Sequence, residues 1–127
     1  MIGYVTLGTN DLERAAAFYD ELLELLGAKR FMGAEGHYIA WAVSPDAPAL
    51  SVTRPFDGGA ATVGNGTMVA LAVDSPERVD RVHAKAIELG GVDEGPAGPR
   101  GDAGFYAGYF RDLDGNKLNV FCFRPPA

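Results

Sequence analysis

The stretch Val5-Thr-Leu-Gly-Thr-Asn-Asp-Leu-Glu-Arg14 recurs in outline 64 residues later as Val69-Ala-Leu-Ala-Val-Asp-Ser-Pro-Glu-Arg78. Each copy is a short alternating apolar segment that runs into an amphipathic one, the pattern of a strand followed by a helix. Toward the end of each copy the offset becomes 68, as a small insertion would cause. Self-similarity at a nearly fixed offset indicates a duplicated supersecondary unit. The identical pairs include Val5/Val69, Leu7/Leu71, Glu13/Glu77, Glu24/Glu88, Gly27/Gly91, Tyr38/Tyr106, Leu50/Leu118 and Val52/Val120.

Both predicted helices carry recognisable end signals. In the first copy, Asn10 is expected to be the N-cap, with Glu13 at the reciprocal position of a capping box, and Gly27 is expected to end the helix. In the second copy, Ser75 is the expected N-cap and Pro76 fits the first helical position, where a missing N–H costs nothing. Each copy therefore contains one helix directly after its first strand.

Further strand patterns follow each helix. An Asp114-Gly115 turn between the last two of them is a strong hairpin signal. The predicted strands are Tyr4–Leu7, Lys29–Met32, Tyr38–Val43 and Ala49–Thr53 in the first copy, and Met68–Val73, Tyr106–Arg111 and Lys117–Phe123 in the second. The stretch 95–104, rich in Gly and Pro, is interpreted as a flexible loop at the mouth of a cleft.

This order predicts an α+β fold of two tandem βαβββ modules that form a curved mixed sheet with the helices on its convex face. The expected boundaries are residues 1–54 for module one, 55–65 for a Gly/Pro-rich linker, and 66–127 for module two, all within a single domain. Whether the modules pair within one chain or between two chains is left open by the sequence.

Strand alternation separates two faces of the predicted sheet, because successive side chains of a strand point to opposite sides. One parity is entirely apolar and is expected beneath the helices: Val5, Leu7, Leu50, Val52, Val69, Leu71, Val73, Leu118, Val120 and Cys122. The other parity mixes polar and aromatic residues and predicts a cleft or an interface: Tyr4, Thr6, Ser51, Thr53, Met68, Ala70, Asn119 and Phe121.

The composition excludes several classes of protein. The chain has 127 residues and a formal net charge of −6, which argues against a nucleic-acid binder. No apolar run approaches the roughly 20 residues needed to cross a bilayer, and no signal peptide is evident, so we expect a cytoplasmic protein with no membrane partner. One cysteine, Cys122, allows no internal disulfide.

The sequence resembles the vicinal oxygen chelate superfamily, which includes glyoxalase I, extradiol dioxygenases, and fosfomycin- and bleomycin-resistance proteins. The resemblance rests on Val5-Thr-Leu7 running into Asn10-Asp-Leu-Glu-Arg14 and Phe18-Tyr19, and on Tyr109-Phe-Arg-Asp-Leu-Asp-Gly-Asn-Lys-Leu118. It covers nearly the whole chain and implies the same duplicated βαβββ architecture.

Relatives of this kind hold a divalent metal through His and Glu side chains on the first and last strands of each module. The resemblance places those positions at Tyr4, Ser51, Met68 and Asn119. A phenol, a hydroxyl, a thioether and an amide lack the basic nitrogen and negative charge that bind such an ion. We therefore expect no metal and no other cofactor.

The same positions become candidate ligand-binding residues, together with Phe121 on the cleft parity and Arg100 as an anion contact. The two histidines offer little support for catalysis: His83 is expected at the polar flank of the second helix, and His37 near an opening beside Gly36. No catalytic residue is assigned, and Tyr4 and His37 are the weak candidates.

Two functions remain from the sequence. The first is metal-free binding of a small apolar or aromatic molecule, and the alternative is a lyase, isomerase or dioxygenase with relocated ligands or acid–base chemistry. A third interpretation is a scaffold that serves only assembly. The resemblance also implies a homodimer.

Overall fold

The computed structural model describes residues 1–124, and the chain divides into two compact units, residues 1–65 and residue 66 onward. Each unit has one helix and four strands in the order βαβββ, so the α+β fold with mixed sheets is confirmed. The first unit contains β1 Tyr4–Gly8, α1 Leu12–Glu24, β2 Lys29–Ala34, β3 Tyr38–Ala42 and β4 Ala49–Thr53. The second contains β5 Val69–Ala72, α2 Pro76–Glu88, β6 Val92–Arg100, β7 Phe105–Arg111 and β8 Lys117–Phe123.

The sheet of the first unit has the strand order β1-β4-β3-β2. Strand β1 pairs in parallel with β4, with Thr6 opposite Ser51, and the remaining pairs are antiparallel. A parallel pair needs a crossover connection, and the segment containing α1 supplies it. Strand β2 is an edge strand, and a β-bulge interrupts its pairing between Arg30 and Met32.

The second unit repeats this topology as β5-β8-β7-β6, again with a parallel pair, β5 with β8. The expectation of a flexible loop over residues 95–104 is wrong for most of its length, because Val92–Arg100 forms the edge strand β6. Its pairing with β7 shifts register twice, and Pro96 and Pro99 lie within it. Proline cannot donate to a ladder and is confined to strand edges and bulges, so an edge strand can hold residues that read as a loop.

The start of α1 differs from the sequence prediction by one residue. Asp11 is the N-cap, and its side chain accepts a hydrogen bond from the Arg14 N–H at 3.0 Å. Glu13 therefore does not occupy the capping-box position. Asn10, the predicted cap, instead bonds the backbone of Ala61, accepting from its N–H at 2.7 Å and donating to its carbonyl at 3.3 Å. The predicted cap of α2 is confirmed: Ser75 accepts from Arg78 N–H, and Pro76 opens the helix.

One face of each sheet is covered by the helix of its own unit. Helix α1 packs against β2, β3 and β4, and α2 packs against β6, β7 and β8. The buried side chains of α1 are Leu12, Ala15, Ala16, Phe18, Tyr19, Leu22 and Leu23, and those of α2 are Val79, Val82, His83 and Ala86. Leu50, Val52, Leu118, Val120 and Cys122 are buried on the strands, as their parity predicts.

His83 is part of this packed layer and is only 8% exposed, not at a solvated flank. Its Nε2 lies 3.2 Å from Asp93 Oδ1 and 3.1 Å from the Tyr109 carbonyl oxygen. Both partners are acceptors, so Nε2 carries the proton and donates. His83 therefore ties α2 to both β6 and β7.

The segment 55–65 packs against the rest of the first unit through Ala61. A Cβ built on Gly8 would lie 3.1 Å from the Ala61 Cβ, and the two Asn10 bonds hold the same residue. The segment contains neither helix nor strand. Within residues 1–124, none of the helices has the length and apolar character that a membrane span requires.

The close approach of Gly108 to His83 gives a test of this packing. A Cβ on Gly108 would lie 2.8 Å from His83 Cδ2, and two hydrogen bonds hold that ring in place. We predict that Gly108→Ala lowers the free energy of unfolding by about 1–3 kcal/mol, as overpacking does. Urea denaturation measures this. Gly3→Ala is the control, since nothing lies within 4 Å of the corresponding Cβ, and equal stability of the two variants would contradict the prediction.

Candidate functional site

A cavity of about 580 Å³ lies within the first unit, on the sheet face that α1 does not cover. Strands β1, β4 and β3 form its floor, β2 contributes two bulky side chains, and the connection between β3 and β4 closes one side. The lining residues are Gly3, Tyr4, Thr6, Phe31, Met32, Tyr38, Ala40, Pro45, Ala47, Ala49, Ser51 and Thr53. Alternation produces this floor: Thr6, Ser51 and Ala40 lie side by side in register across three strands.

The described residues that line the cavity include no charged side chain. Their polar groups are hydroxyls, on Tyr4, Thr6, Tyr38, Ser51 and Thr53. The Thr53 hydroxyl donates within the protein, since its Oγ1 lies 3.2 Å from the His37 carbonyl and 2.9 Å from that of Arg54. The remaining surface is apolar and aromatic, which suits a neutral molecule with few hydrogen-bonding groups.

The structure brings together two of the predicted site residues, Tyr4 and Ser51. Tyr4 lies on the edge strand β1 and is 72% exposed, whereas Ser51 lies on the inner strand β4 and is 4% exposed. The phenol therefore stands at the opening and the Ser51 hydroxyl at the floor. His37 is exposed in the turn between β2 and β3 and does not line the cavity.

The other predicted positions belong to the second unit. Met68 precedes β5 and is 40% exposed. Phe121 on β8 stacks on Phe105, with ring centres 5.6 Å apart. Arg100 ends β6, where its guanidinium donates to the backbone carbonyls of Pro96 at 2.6 Å and Gly98 at 3.0 Å. These bonds secure the irregular part of β6 and use part of the guanidinium's five N–H donors.

Asn119 is the most unusual of these residues. It is 2% exposed, and its Oδ1 has no hydrogen-bond partner among the described residues. Buried polar atoms in native proteins are nearly always hydrogen-bonded, so an orphaned acceptor requires an explanation.

Several lining residues, chiefly Phe31, Met32 and Tyr38, were not predicted from the sequence. Tyr38 was within reach of the parity argument, since it pairs with Thr53, which was placed on the cleft face. Phe31 was not, because it is the extra residue of the bulge between Arg30 and Met32. A bulge breaks the two-residue period on which face assignment depends.

An ion pair and an indole hold the β2 wall against α1. Arg30 donates to Asp20 at 2.7 and 2.8 Å, and the Trp41 indole N–H donates to Asp20 Oδ1 at 2.8 Å. The Arg30 bonds lower the pKa of the Asp20 carboxyl below its usual value, against the opposing effect of partial burial, and the Trp41 bond adds to the lowering. The bulged strand that carries Phe31 and Met32 is thereby anchored next to the cavity.

A second cavity of about 730 Å³ lies between the start of α1 and strands β2 and β3. It shares Phe31, Met32 and Tyr38 with the first cavity, but Glu13, Arg30, Glu35 and Arg54 also line it. This lining is mixed in charge and follows an exposed edge strand.

The four positions that the resemblance assigns to metal ligands carry other side chains. Among residues 1–124, no group of three or more His, Cys, Asp or Glu side chains could hold a metal ion. Tyr4, Ser51, Met68 and Asn119 offer neither imidazole nor carboxylate. These residues do not fit a hard divalent ion.

Comparison with known proteins identifies relatives over almost the full length. The model of the Glyoxalase/Bleomycin resistance protein/Dioxygenase superfamily matches residues 1–120. A glyoxalase/bleomycin resistance protein from Albidiferax ferrireducens T118 is 39% identical, with 98% of this chain and 99% of that chain covered and a TM-score of 0.88. No curated protein matches the chain.

More distant solved structures share the fold alone. A family enzyme from Burkholderia phytofirmans PsJN is 16% identical, with 96% of this chain and 98% of that one covered and a TM-score of 0.75. Lactoylglutathione lyase from Agrobacterium tumefaciens is 21% identical, with 96% and 92% covered and a TM-score of 0.69.

The lowered pKa of Asp20 predicts a pH-dependent difference between the native protein and Asp20→Asn. A carboxyl whose pKa is lower in the folded state stabilises the fold above its unfolded pKa, and loses that contribution as pH falls through the folded value. We expect the native protein to be more stable than Asp20→Asn at pH 6, and the gap to shrink below about pH 4. Urea midpoints across this range measure it, with Glu24→Gln at an exposed position as the control. A gap independent of pH would contradict the prediction.

Proposed function

The chain belongs to the Glyoxalase/Bleomycin resistance protein/Dioxygenase superfamily, and on that premise we propose that it binds a small apolar or aromatic molecule in a cleft without a metal ion. The observation that carries the proposal is the uncharged lining of the 580 Å³ cavity. Its volume is within the range of about 300–1,000 Å³ typical of small-molecule sites.

Burial of apolar ligand surface supplies most of the binding free energy in this proposal, at about 25 cal/mol per Å². Phe31, Met32 and Tyr38 provide the aromatic and thioether contacts, and Met adapts its shape to irregular ligands. The hydroxyls of Tyr4 and Ser51 would orient one or two polar atoms. A ligand carboxylate would lose its hydration without gaining a cation, so neutral molecules are favoured over acids.

The alternative is a lyase, isomerase or dioxygenase that uses relocated metal ligands or metal-free acid–base chemistry. Among the residues of the cavity, Tyr4 is the candidate acid or base, because its phenol is ionisable and stands at the opening. Metal analysis of protein prepared without a histidine tag discriminates between the two. One firmly held Fe, Mn, Ni or Zn ion per chain would overturn metal-free binding.

We also propose a cytoplasmic homodimer in which residues 1–127 form a single domain. The exposed edge strand β2 supports the dimer. All six of its residues are exposed, including Phe31 at 42% and Met32 at 54%. Unpaired backbone groups on an exposed edge can pair with another chain.

We predict that Ala47→Trp blocks the cavity. Ala47 is half-buried, lies on the cavity wall outside the strands, and can be enlarged without entering the core beneath α1. Affinity for neutral aromatic probes such as indole, measured by calorimetry, should fall ~10-fold or more, a loss of about 1.4 kcal/mol per factor of ten.

Ala60→Trp is the matched control, since Ala60 is exposed and does not line either described cavity. It should bind indole with the affinity of the native protein. Both proteins should bind indole-3-carboxylate more weakly than indole. Equal affinity of Ala47→Trp and Ala60→Trp would count against this cavity as the site.

For the dimer, we expect sedimentation at micromolar concentration to show a species of twice the 13.4 kDa chain mass. Ala34→Lys on β2 should shift it toward the monomer, because lysine on an edge strand opposes strand pairing. Ala17→Lys, on the exposed side of α1, is the control. A monomeric native protein would contradict the proposed dimer. A variant Ala34→Lys that sediments as a dimer would exclude β2 as the contact.

A further inference from the structure

We propose that two copies of this chain pair through antiparallel β2 strands, so that Met32 of each copy completes the wall of the cavity in the other. The inference rests on the proposed function, because it takes from it both the homodimer and the ligand of the 580 Å³ cavity. It adds the orientation of the two copies and a link between their association and ligand binding.

Strand β2 offers an open outer edge for such a contact. It pairs with β3 on one side, and no strand of the first unit lies on its other side. The strand contains no proline, so each of residues 29–34 keeps its backbone N–H. The β-bulge at Phe31 interrupts the regular ladder on one side of Met32, so a backbone pairing here is short. Side chains must therefore help to direct it.

The charges along β2 give the strand a direction. Lys29 begins the strand and Glu35 follows its last residue, and both are exposed. Neither has an ion-pair partner within residues 1–124, whereas Arg30 is held by Asp20 at 2.7 Å. The extended chain between Lys29 and Glu35 separates them by about 20 Å, well beyond the Debye length of about 8 Å, so each end interacts separately.

Antiparallel pairing brings opposite charges together at both ends of the contact. Met32 lies midway between Lys29 and Glu35 in the sequence, so a two-fold axis near Met32 sets Lys29 of each copy beside Glu35 of the other. Parallel pairing sets lysine beside lysine instead. A lysine on an edge strand normally opposes pairing, and the opposing carboxylate removes that obstacle in one orientation only. Exposed ion pairs add little affinity, but they select the orientation.

The same contact changes the wall of the cavity. Phe31 and Met32 form its β2 side, and they are 42% and 54% exposed. In a paired strand, opposite side chains have Cβ atoms about 4.5–5.5 Å apart, so Met32 of the second copy covers the outer side of this wall. Ligand and second copy then pack against the same two side chains from opposite sides. Each stabilises the arrangement that the other requires, which couples binding to association.

Charge reversal tests the orientation by sedimentation. Lys29→Glu and Glu35→Lys each turn both attractive contacts into repulsive ones, and each should raise the dimer dissociation constant ~10-fold or more. An equimolar mixture of the two variants has opposite charges at both ends again, and should associate nearly as well as the native protein. Arg81→Glu and Asp102→Lys, at exposed positions of the second unit, are the matched controls and should leave the constant unchanged, alone and mixed.

Indole tests the completed wall. By calorimetry it should bind the dimeric native protein about fivefold or more tightly than Lys29→Glu at the same concentration, as expected for two coupled sites. Lys29 does not line the cavity, so loss of the second copy is the cause of the difference. Saturating indole should in turn lower the dimer dissociation constant of the native protein. Arg81→Glu should bind indole with the native affinity.

The contrary outcomes separate this inference from the proposed function. A monomeric native protein overturns the proposed dimer and the inference with it. A dimer that neither variant weakens, or a mixture that does not reassociate, overturns the antiparallel contact and leaves the proposed dimer standing. Equal indole affinity of native protein and a monomeric Lys29→Glu overturns the completed wall and leaves the cavity as a binding site. If indole binds neither, the proposed ligand and the completed wall both fail, and the mixture alone decides the antiparallel contact.

Discussion

The parallel pairing of β1 with β4, and of β5 with β8, is the constraint on which each unit depends. Two adjacent parallel strands cannot be joined by a tight turn, so the chain must cross one face of the sheet between them, and in both units it does so with a helix. That helix requires an apolar surface beneath it, which Leu7 and Val52 supply in the first unit. Because side chains alternate, the same pairing turns Thr6 and Ser51 to the uncovered face. The cavity is a geometric consequence of the crossover.

Repetition made most of the architecture predictable from the sequence. Both helices, all but one of the strands and the apolar face followed from periodicity, and the bounds of β4 and β8 matched those of the structure. The predicted N-cap of α1 was wrong because Asn10 and Asp11 are both good capping residues. The choice between them depends on Ala61, 51 residues from Asn10 in the chain, which local sequence does not show. Strand β6 was not predicted because its glycines and prolines are typical of a loop, and the sequence does not show its pairing with β7.

The residues of the site were predictable only where side chains alternate regularly along a strand. Alternation put Tyr4 and Ser51 on the uncovered face, and they line one cavity. Phe31 and Met32 were not predicted as lining residues because a single bulge interrupts the alternation of side chains along β2. The unpartnered state of Asn119 Oδ1 is a property of three dimensions, since it depends on what surrounds the amide after folding. Strand alternation placed Asn119 on the cleft face, but it does not show which of the amide's hydrogen bonds are made.

The prolines of β6 have a consequence for how copies of this chain can associate. Pro96 and Pro99 remove two backbone donors from the outer strand of the second sheet, and its register shifts bend what is left. The equivalent strand of the first sheet contains no proline and a single bulge. The two sheets thus have similar outer strands, but the prolines leave β6 with fewer backbone hydrogen-bond donors than β2. Strand addition is therefore less favourable at the outer edge of β6 than at that of β2, so a contact between copies of this chain is directed to the first unit.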